Sequence, residues 1–254
     1  MVTSGQLSKL LKSESLHLLS PLEDASNETY LATVGNIEVV YKPVAGEAPL
    51  WDFAQHTLSK REVMAHWVSN CLGWDLVPVT VWTERGPLGP GSVQLYVPNA
   101  VIDDVSIFDL NEVPQDWIAI LAGQVDGKDV LVAHRDNEDL LKLAAFDAII
   151  NNGDRKAGHI LRDSTSRLFA IDHGVSFHVS NKLRTILWGW AEEELAQDLV
   201  HQVQIGCERI QETKHEWLLS EPEYEQLLVR IHRLLREGLP LPSQQWPAVP
   251  WPIF

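Results

Sequence analysis

The run Ile149-Ile150-Asn151-Asn152-Gly153-Asp154-Arg155-Lys156-Ala157-Gly158-His159-Ile160-Leu161, followed a few residues on by Leu168-Phe169-Ala170-Ile171-Asp172-His173-Gly174, decides how the chain is read. It reads as the apolar end of a helix, a polar loop, a short strand, a turn and a second apolar strand closing on Asp-x-Gly. A β-hairpin between Asp154 and Asp172 brings both carboxylates to one end. Such a pair suits phosphoryl transfer, in which one carboxylate orients an attacking hydroxyl and the other holds a metal ion on the phosphates. The same residues also fit a plain turn at Asn-Asn-Gly-Asp and a strand end at Asp172.

Composition narrows the field. The 254 residues suffice for one large domain or two small lobes around a cleft, and 45% hydrophobic with 22% charged residues is ordinary for a globular protein. No apolar run reaches the roughly 18 residues of a membrane span. The first six residues carry neither the basic segment nor the apolar core of a secretory signal, so a cytoplasmic location is expected. Cys71 and Cys207 lack metal-ligand spacing and are expected to be buried thiols. A net charge of −15, with no cluster of Lys or Arg, argues against nucleic acid and against stable association with an anionic membrane. Ten scattered tryptophans point to core or lobe-interface packing.

Residues 1–13 read as a short helix with Leu7, Leu10 and Leu11 on one face. Strands follow at Leu16–Leu19, Thr29–Val34 and Ile37–Pro43, the last two joined by Gly35-Asn36. The polar loop 25–29 offers amides and hydroxyls that suit a phosphate or make a plain turn. Lys42 shares a strand face with Glu38 and Val40; Ile37, Val39 and Tyr41 form the more apolar face. The Lys42 face either lines a cleft or meets solvent.

Residues 45–56 read as a loop insertion. A helix then begins at Thr57 or Ser59, repeats Val63, Trp67, Val68 and Cys71 or Leu72, and stops at Gly73. Glu62 falls in its first turns. A strand lysine clamped by a helix glutamate is how kinases fix the cation on the α- and β-phosphates, although a glutamate there also complements the helix dipole.

Two more strands, 76–82 and 92–97, flank a Gly/Pro-rich turn, and Pro98-Asn99-Ala100 ends the pattern. Helical segments are expected to dominate from about residue 105. The boundary therefore falls near residue 98, between a β-rich lobe (1–98, five strands and one main helix) and an α-rich lobe (99–254). Asp136 is expected to cap the helix that carries Leu140 to Ile150. Residues 184–190 read as extended or turning, with helices over 192–215 and 221–237. The Trp246-Pro247 and Pro250-Trp251-Pro252 tail either packs back on the large lobe or serves as a Pro-rich ligand.

In this order the chain resembles a protein-kinase-like fold, α+β and two-lobed, with a small β-rich N-lobe and a larger α-rich C-lobe. Asn152-Gly153-Asp154-Arg155 and Ile171-Asp172-His173-Gly174 resemble the Asn-x-Asp-Arg and Ile-Asp-x-Gly motifs of type II phosphatidylinositol 4-kinases and HipA-like kinases. Tyr41-Lys42-Pro43, Pro49-Leu50-Trp51-Asp52-Phe53, Arg61-Glu62, Asp154-Arg155-Lys156 and Leu187-Trp188-Gly189-Trp190 are similar to a family of uncharacterised bacterial proteins labelled phosphatidylinositol 3-/4-kinase-related, over nearly the whole chain.

The resemblance implies an ATP-dependent phosphotransferase that uses ATP with Mg²⁺ or Mn²⁺ and moves the γ-phosphoryl group to a hydroxyl acceptor. Lys42 would hold the α/β-phosphates and Glu62 would fix it. Ser26, Asn27 and Thr29 would cover the phosphates. Gln94, Leu95, Tyr96 and Val97 would face adenine through backbone groups. Asp154 would orient the acceptor hydroxyl and Asp172 would bind the metal. Lys156 would either place charge near the γ-phosphate or stay solvated. His159 stands where these kinases supply a metal-binding Asn, and imidazole suits Mn²⁺ better than Mg²⁺. A Mn²⁺-tolerant enzyme, a one-metal enzyme and a nucleotide-binding pseudokinase module all fit that departure, and the same cleft would also serve AMP transfer. Net charge and the lack of a palmitoylation-type cysteine cluster favour a protein hydroxyl or a small hydroxylated molecule over a membrane lipid as acceptor.

Overall fold

The computed structural model describes residues 2–22, 27–213 and 218–254. A helix, α1 (Ser4–Ser13), starts at a capping box between Thr3 and Gln6. It leads into β1 (Leu16–Pro21), β2 (Tyr30–Val34), β3 (Ile37–Pro43), helix α2 (Leu58–Leu72), β4 (Thr80–Gly86) and β5 (Gly89–Leu95). The five strands form one antiparallel sheet in the order β1-β2-β3-β5-β4. Gly35 (φ +57°) opens the two-residue β2–β3 turn, a position where a left-handed residue matches the strand twist. Alternation along β3 buries Val39 and Tyr41 on one face, where they meet Leu7 and Leu11 of α1. Lys42 lies on the other face, opposite Ser92 of β5.

Helix α2 buries Met64, Ala65, Val68 and Leu72 in the same core as the C-terminal helices. Its close partner is α4 (Gln197–Glu212): a Cβ on Gly206 would sit 2.9 Å from Leu72 Cα, so only glycine allows this approach. Gly73 takes φ +71° and ends α2 as expected, its amide bonding Asn70 O at 3.0 Å.

Residues 105–135 correct the expectation of helix from about residue 105. They form an antiparallel sheet of β6 (Val105–Asp109), β7 (Trp117–Val125) and β8 (Lys128–Arg135), in the order β6-β8-β7. The β7–β8 turn is Asp126-Gly127, both with positive φ (+51° and +77°), the two-residue hairpin signature. Helix α3 (Glu138–Ile150) follows. Its N-cap is Asn137, whose side chain accepts from Leu140 N at 3.0 Å, and not Asp136, which instead accepts from Trp190 Nε1 at 3.1 Å.

The hairpin expected after Asp154 is β9 (Ile160–Arg162) with β10 (Leu168–Ala170). Helices α4 and α5 (Glu221–Glu237) close the C-terminal part, and α5 starts at a Ser220–Glu223 capping box. The tail does pack back, through main-chain bonds to Ala248 and Ile253 and the buried Ile253. The ring of Trp251, by contrast, is 85% exposed.

Candidate active site

Strand β3 delivers Lys42 to the mouth of a cavity of about 400 Å³ between the five-stranded sheet and the C-terminal part. Helix α2 delivers the buried Glu62. The Lys42 ammonium is bonded to Glu62 Oε1 and, at 2.9 Å, to Asp172 Oδ1. Glu62 Oε2 in turn accepts from His173 N at 3.0 Å, so the strand, the helix and the loop after β10 are tied through one carboxylate. Burial opposes charge on Lys42, but Asp172 and Glu62 together push its pKa above the ordinary lysine value. The Lys42 charge holds Asp172 well below the carboxylate range against the cost of burial. Burial raises Glu62, and Lys42 offsets part of that rise.

The loop that follows α3 places Asp154. Asn151 ends the helix in the left-handed conformation (φ +55°) and Asn152 Oδ1 accepts from Asp154 N at 3.0 Å. Asp154 and Lys156 side chains approach to 3.6 Å. Burial raises the Asp154 pKa, with Lys156 and Arg184 opposing it.

Below this loop, Arg155 is fully buried against fully buried Asp147 of α3 in a two-pronged pair, with both contacts at 2.9 Å. Its Nη1 donates to Ile171 O at 2.8 Å, and Nη2, besides its bond to Asp147, also reaches His173 Nε2 at 2.8 Å. Arg155 thereby fixes the Asp154 loop to the Asp172 loop. Neither Asp147 nor this role of Arg155 was among the sequence expectations. An apolar helix face interrupted by one Asp was the signal for it.

Within the described residues, ligand atoms of Asp154, His159 and Asp172 lie within 4.8 Å of one another. His159 Nδ1 is 2.9 Å from Asp154 O, which can only accept, and 3.5 Å from Lys156 N; the closer contact assigns the proton to Nδ1, which leaves a lone pair on Nε2. That Nε2 faces Asp172 Oδ2 at 3.3 Å. Burial pushes the imidazole down to about 4, against the pull of Asp172, so it is neutral at pH 7. A lone pair facing a carboxylate has no proton to share, and a cation between them satisfies both. The donor set therefore fits a metal ion. Asp172 itself has φ +61°, a left-handed conformation that Asp tolerates and most residues do not.

Of the residues expected at the phosphates, Asn27 lines the cavity and accepts from Ala48 N at 2.6 Å. Thr29 is buried and bonded to Asn27 O at 3.1 Å, outside the cavity lining. Ser26 lies outside the described residues. Gln94, Leu95, Tyr96 and Val97 do not line this cavity. Gln94 is buried and bonded to Thr80 Oγ1 at 2.8 Å, and the amides of Leu95 and Tyr96 are used within the sheet by Val79 O and Glu38 O.

The insertion after β3 does more than loop out. The Glu47 carboxylate caps α2 by accepting from Ser59 N at 2.8 Å and Leu58 N at 3.1 Å. Asp52 pairs with Lys182, whose ammonium also sits 4.8 Å from the ring centres of Trp51 and Trp246. Residues of the insertion and of the tail thus line the same cavity as Asp154. Neither element had been assigned to the site.

The chain has a protein-kinase-like fold. It matches the crystal structure of the Golgi casein kinase with a TM-score of 0.55 at 12% identity, over 92% of this chain and 76% of that one. It also matches the structure of hydra Fam20 with sugar, with a TM-score of 0.57 at 12% identity, over 92% and 87% of the two chains. In sequence it is 37% identical over 264 residues to Protein Rv2133c of Mycobacterium tuberculosis, spanning 96% of this chain and 94% of that protein. The chain belongs to the family of that protein. No family model matches it.

Proposed function

We propose that the protein is an ATP-dependent phosphotransferase that moves the γ-phosphoryl group to a hydroxyl acceptor. The single observation that carries this reading is Lys42, held at once by Glu62 of α2 and by Asp172 in a cavity that also contains Asp154. A lysine so placed presents a fixed positive charge to phosphate oxygens, the main electrostatic requirement of phosphoryl transfer. Asp154, with its pKa raised by burial, is suited to accept a hydroxyl proton. Asp172 and His159 would hold the metal, whose charge would neutralise the phosphates as they react. Lys156 would add positive charge beside Asp154.

The amides of Leu95 and Tyr96 are already bonded, so the adenine contact narrows to the chain from Val97 onward. The motif resemblance to phosphatidylinositol 3-/4-kinase-related proteins supports the same chemistry. For the acceptor, the net charge of −15 favours a protein hydroxyl or a small hydroxylated molecule over a lipid headgroup. No helix of the described residues is long and apolar enough to cross a membrane.

Basal turnover of γ-labelled ATP with Mn²⁺ tests the reading without knowledge of the acceptor. Asp154→Asn should lower it by about 10² or more, and Asp172→Asn should abolish metal-dependent turnover. Equal rates in wild type and both variants refute the assignment.

A further inference from the structure

Away from the cleft, a second cavity of about 530 Å³ lies among the C-terminal ends of α3 and α5, residues 180–183 and the tail. Its volume is that of a small-molecule site. Two arginines, Arg230 and Arg233, line it and no Asp or Glu does, although Arg233 is already paired with Glu237 one turn on, its Nε donating to Oε2 at 2.8 Å. In a chain of net charge −15, the positive charge left without a carboxylate at this lining is that of Arg230.

Arg230 is the sharper observation. Only 7% of it is exposed. Its Nε donates to Ile149 O at 2.9 Å and its Nη1 to His178 O at 3.2 Å, both neutral carbonyls. Its Nη2 is buried with no hydrogen-bond partner among the described residues. The nearest acidic influence, Glu223 on the same helix, is already paired with Arg61. Burial pushes the Arg230 guanidinium down to about 10, as expected for a charge with too little compensation. A buried cation without a counter-ion is costly, and native proteins rarely leave such a group unmatched. The remaining walls are apolar (Trp188, Trp246, Leu183, Leu241), so an inorganic ion alone would leave most of the cavity unfilled.

We propose that this cavity binds a small organic anion, a carboxylate or phosphate monoester on an apolar body, with the anionic group at Arg230 and the body against Trp188, Trp246 and Leu241. Trp246 lines both this cavity and the cleft, so the ligand shares a wall with the candidate active site. The tail that carries Trp246 is anchored beside it by Thr185 N and Trp188 Nε1, both donating to Ala248 O at 3.1 and 2.9 Å. The site does not depend on the phosphotransferase reading.

The test is calorimetric titration of the full chain, without nucleotide or metal, with benzyl phosphate and separately with phenylacetate. The expected result is saturable one-to-one binding of at least one probe, and the preferred probe identifies the anionic group. Arg230→Met should weaken binding about tenfold or more. Because Arg230 also holds two main-chain carbonyls, Ala148→Trp supplies a second arm: it fills the cavity with Arg230 in place and should produce the same loss. Lys156→Met, which removes a cation from the cleft, should leave binding unchanged. Absence of saturable binding to wild type, binding that survives Ala148→Trp, or binding lost in Lys156→Met overturns the proposal. The last outcome would place the anion in the cleft.

Discussion

Arg155→Met isolates the contact on which the geometry of the candidate site depends. The substitution keeps the apolar length of the side chain and removes the guanidinium. Asp147, fully buried, is left with the Asn152 amide at 3.0 Å as its remaining side-chain partner, and Ile171 O loses its 2.8 Å donor. Removing one member of a buried pair costs about 3–5 kcal/mol, and a lost main-chain acceptor adds about 1. The sum, about 4–6 kcal/mol, is a large share of the roughly 5–15 kcal/mol that holds a typical domain together.

For a chain of this length the melting temperature should fall by roughly 10–20 °C. Urea unfolding at pH 7, followed by tryptophan fluorescence and circular dichroism, measures the loss. The double variant Asp147→Leu/Arg155→Met leaves no buried charge and should recover more than half of the stability. A single-variant loss below about 1 kcal/mol, or a double variant no more stable than the single, refutes the reasoning.

Three further outcomes are expected. His159→Asn replaces an imidazole donor with an amide oxygen. It should weaken Mn²⁺ binding, read by calorimetry, about tenfold or more while leaving Mg²⁺ binding equal or tighter; unchanged Mn²⁺ affinity would remove His159 from the ligand set. Glu223, paired with the buried Arg61, has its carboxyl pKa lowered by that arginine against the cost of burial. Its contribution is therefore present above the ordinary carboxylate range and is lost as pH falls through the lowered value, so the stability difference between wild type and Glu223→Gln should shrink below about pH 4.5; a constant difference across that window contradicts it. At Gly91 a Cβ would lie 2.4 Å from Lys42 O and 2.9 Å from Pro43 Cα. Gly91→Ala should therefore pry β5 from β3 beside Lys42 and cost about 1–3 kcal/mol; a neutral effect in urea unfolding would show that the strands have room to part.

What could be read from the chain alone follows the range of the interactions involved. Period-two alternation placed Lys42 on the face opposite Val39 and Tyr41, because one buried face is enough to fix the phase of a strand. The Gly35-Asn36 turn and the Gly73 stop were equally local, each set by a backbone conformation that only a few residues adopt. The Asp126-Gly127 turn is just as local a signal, yet helical segments were expected to dominate from about residue 105. Asp147 with Arg155, and Asp52 with Lys182, belong to a different kind. Each partner alone looks like an ordinary solvated charge, and only the chain crossing shows that neither faces water freely. That is why the residues proposed to handle phosphate were legible as types in order along the chain, while the residues that hold their loops together, and the tryptophans that line the cavity, were not. The parts of such a site that chemistry prescribes leave a linear trace, and the parts that packing prescribes do not.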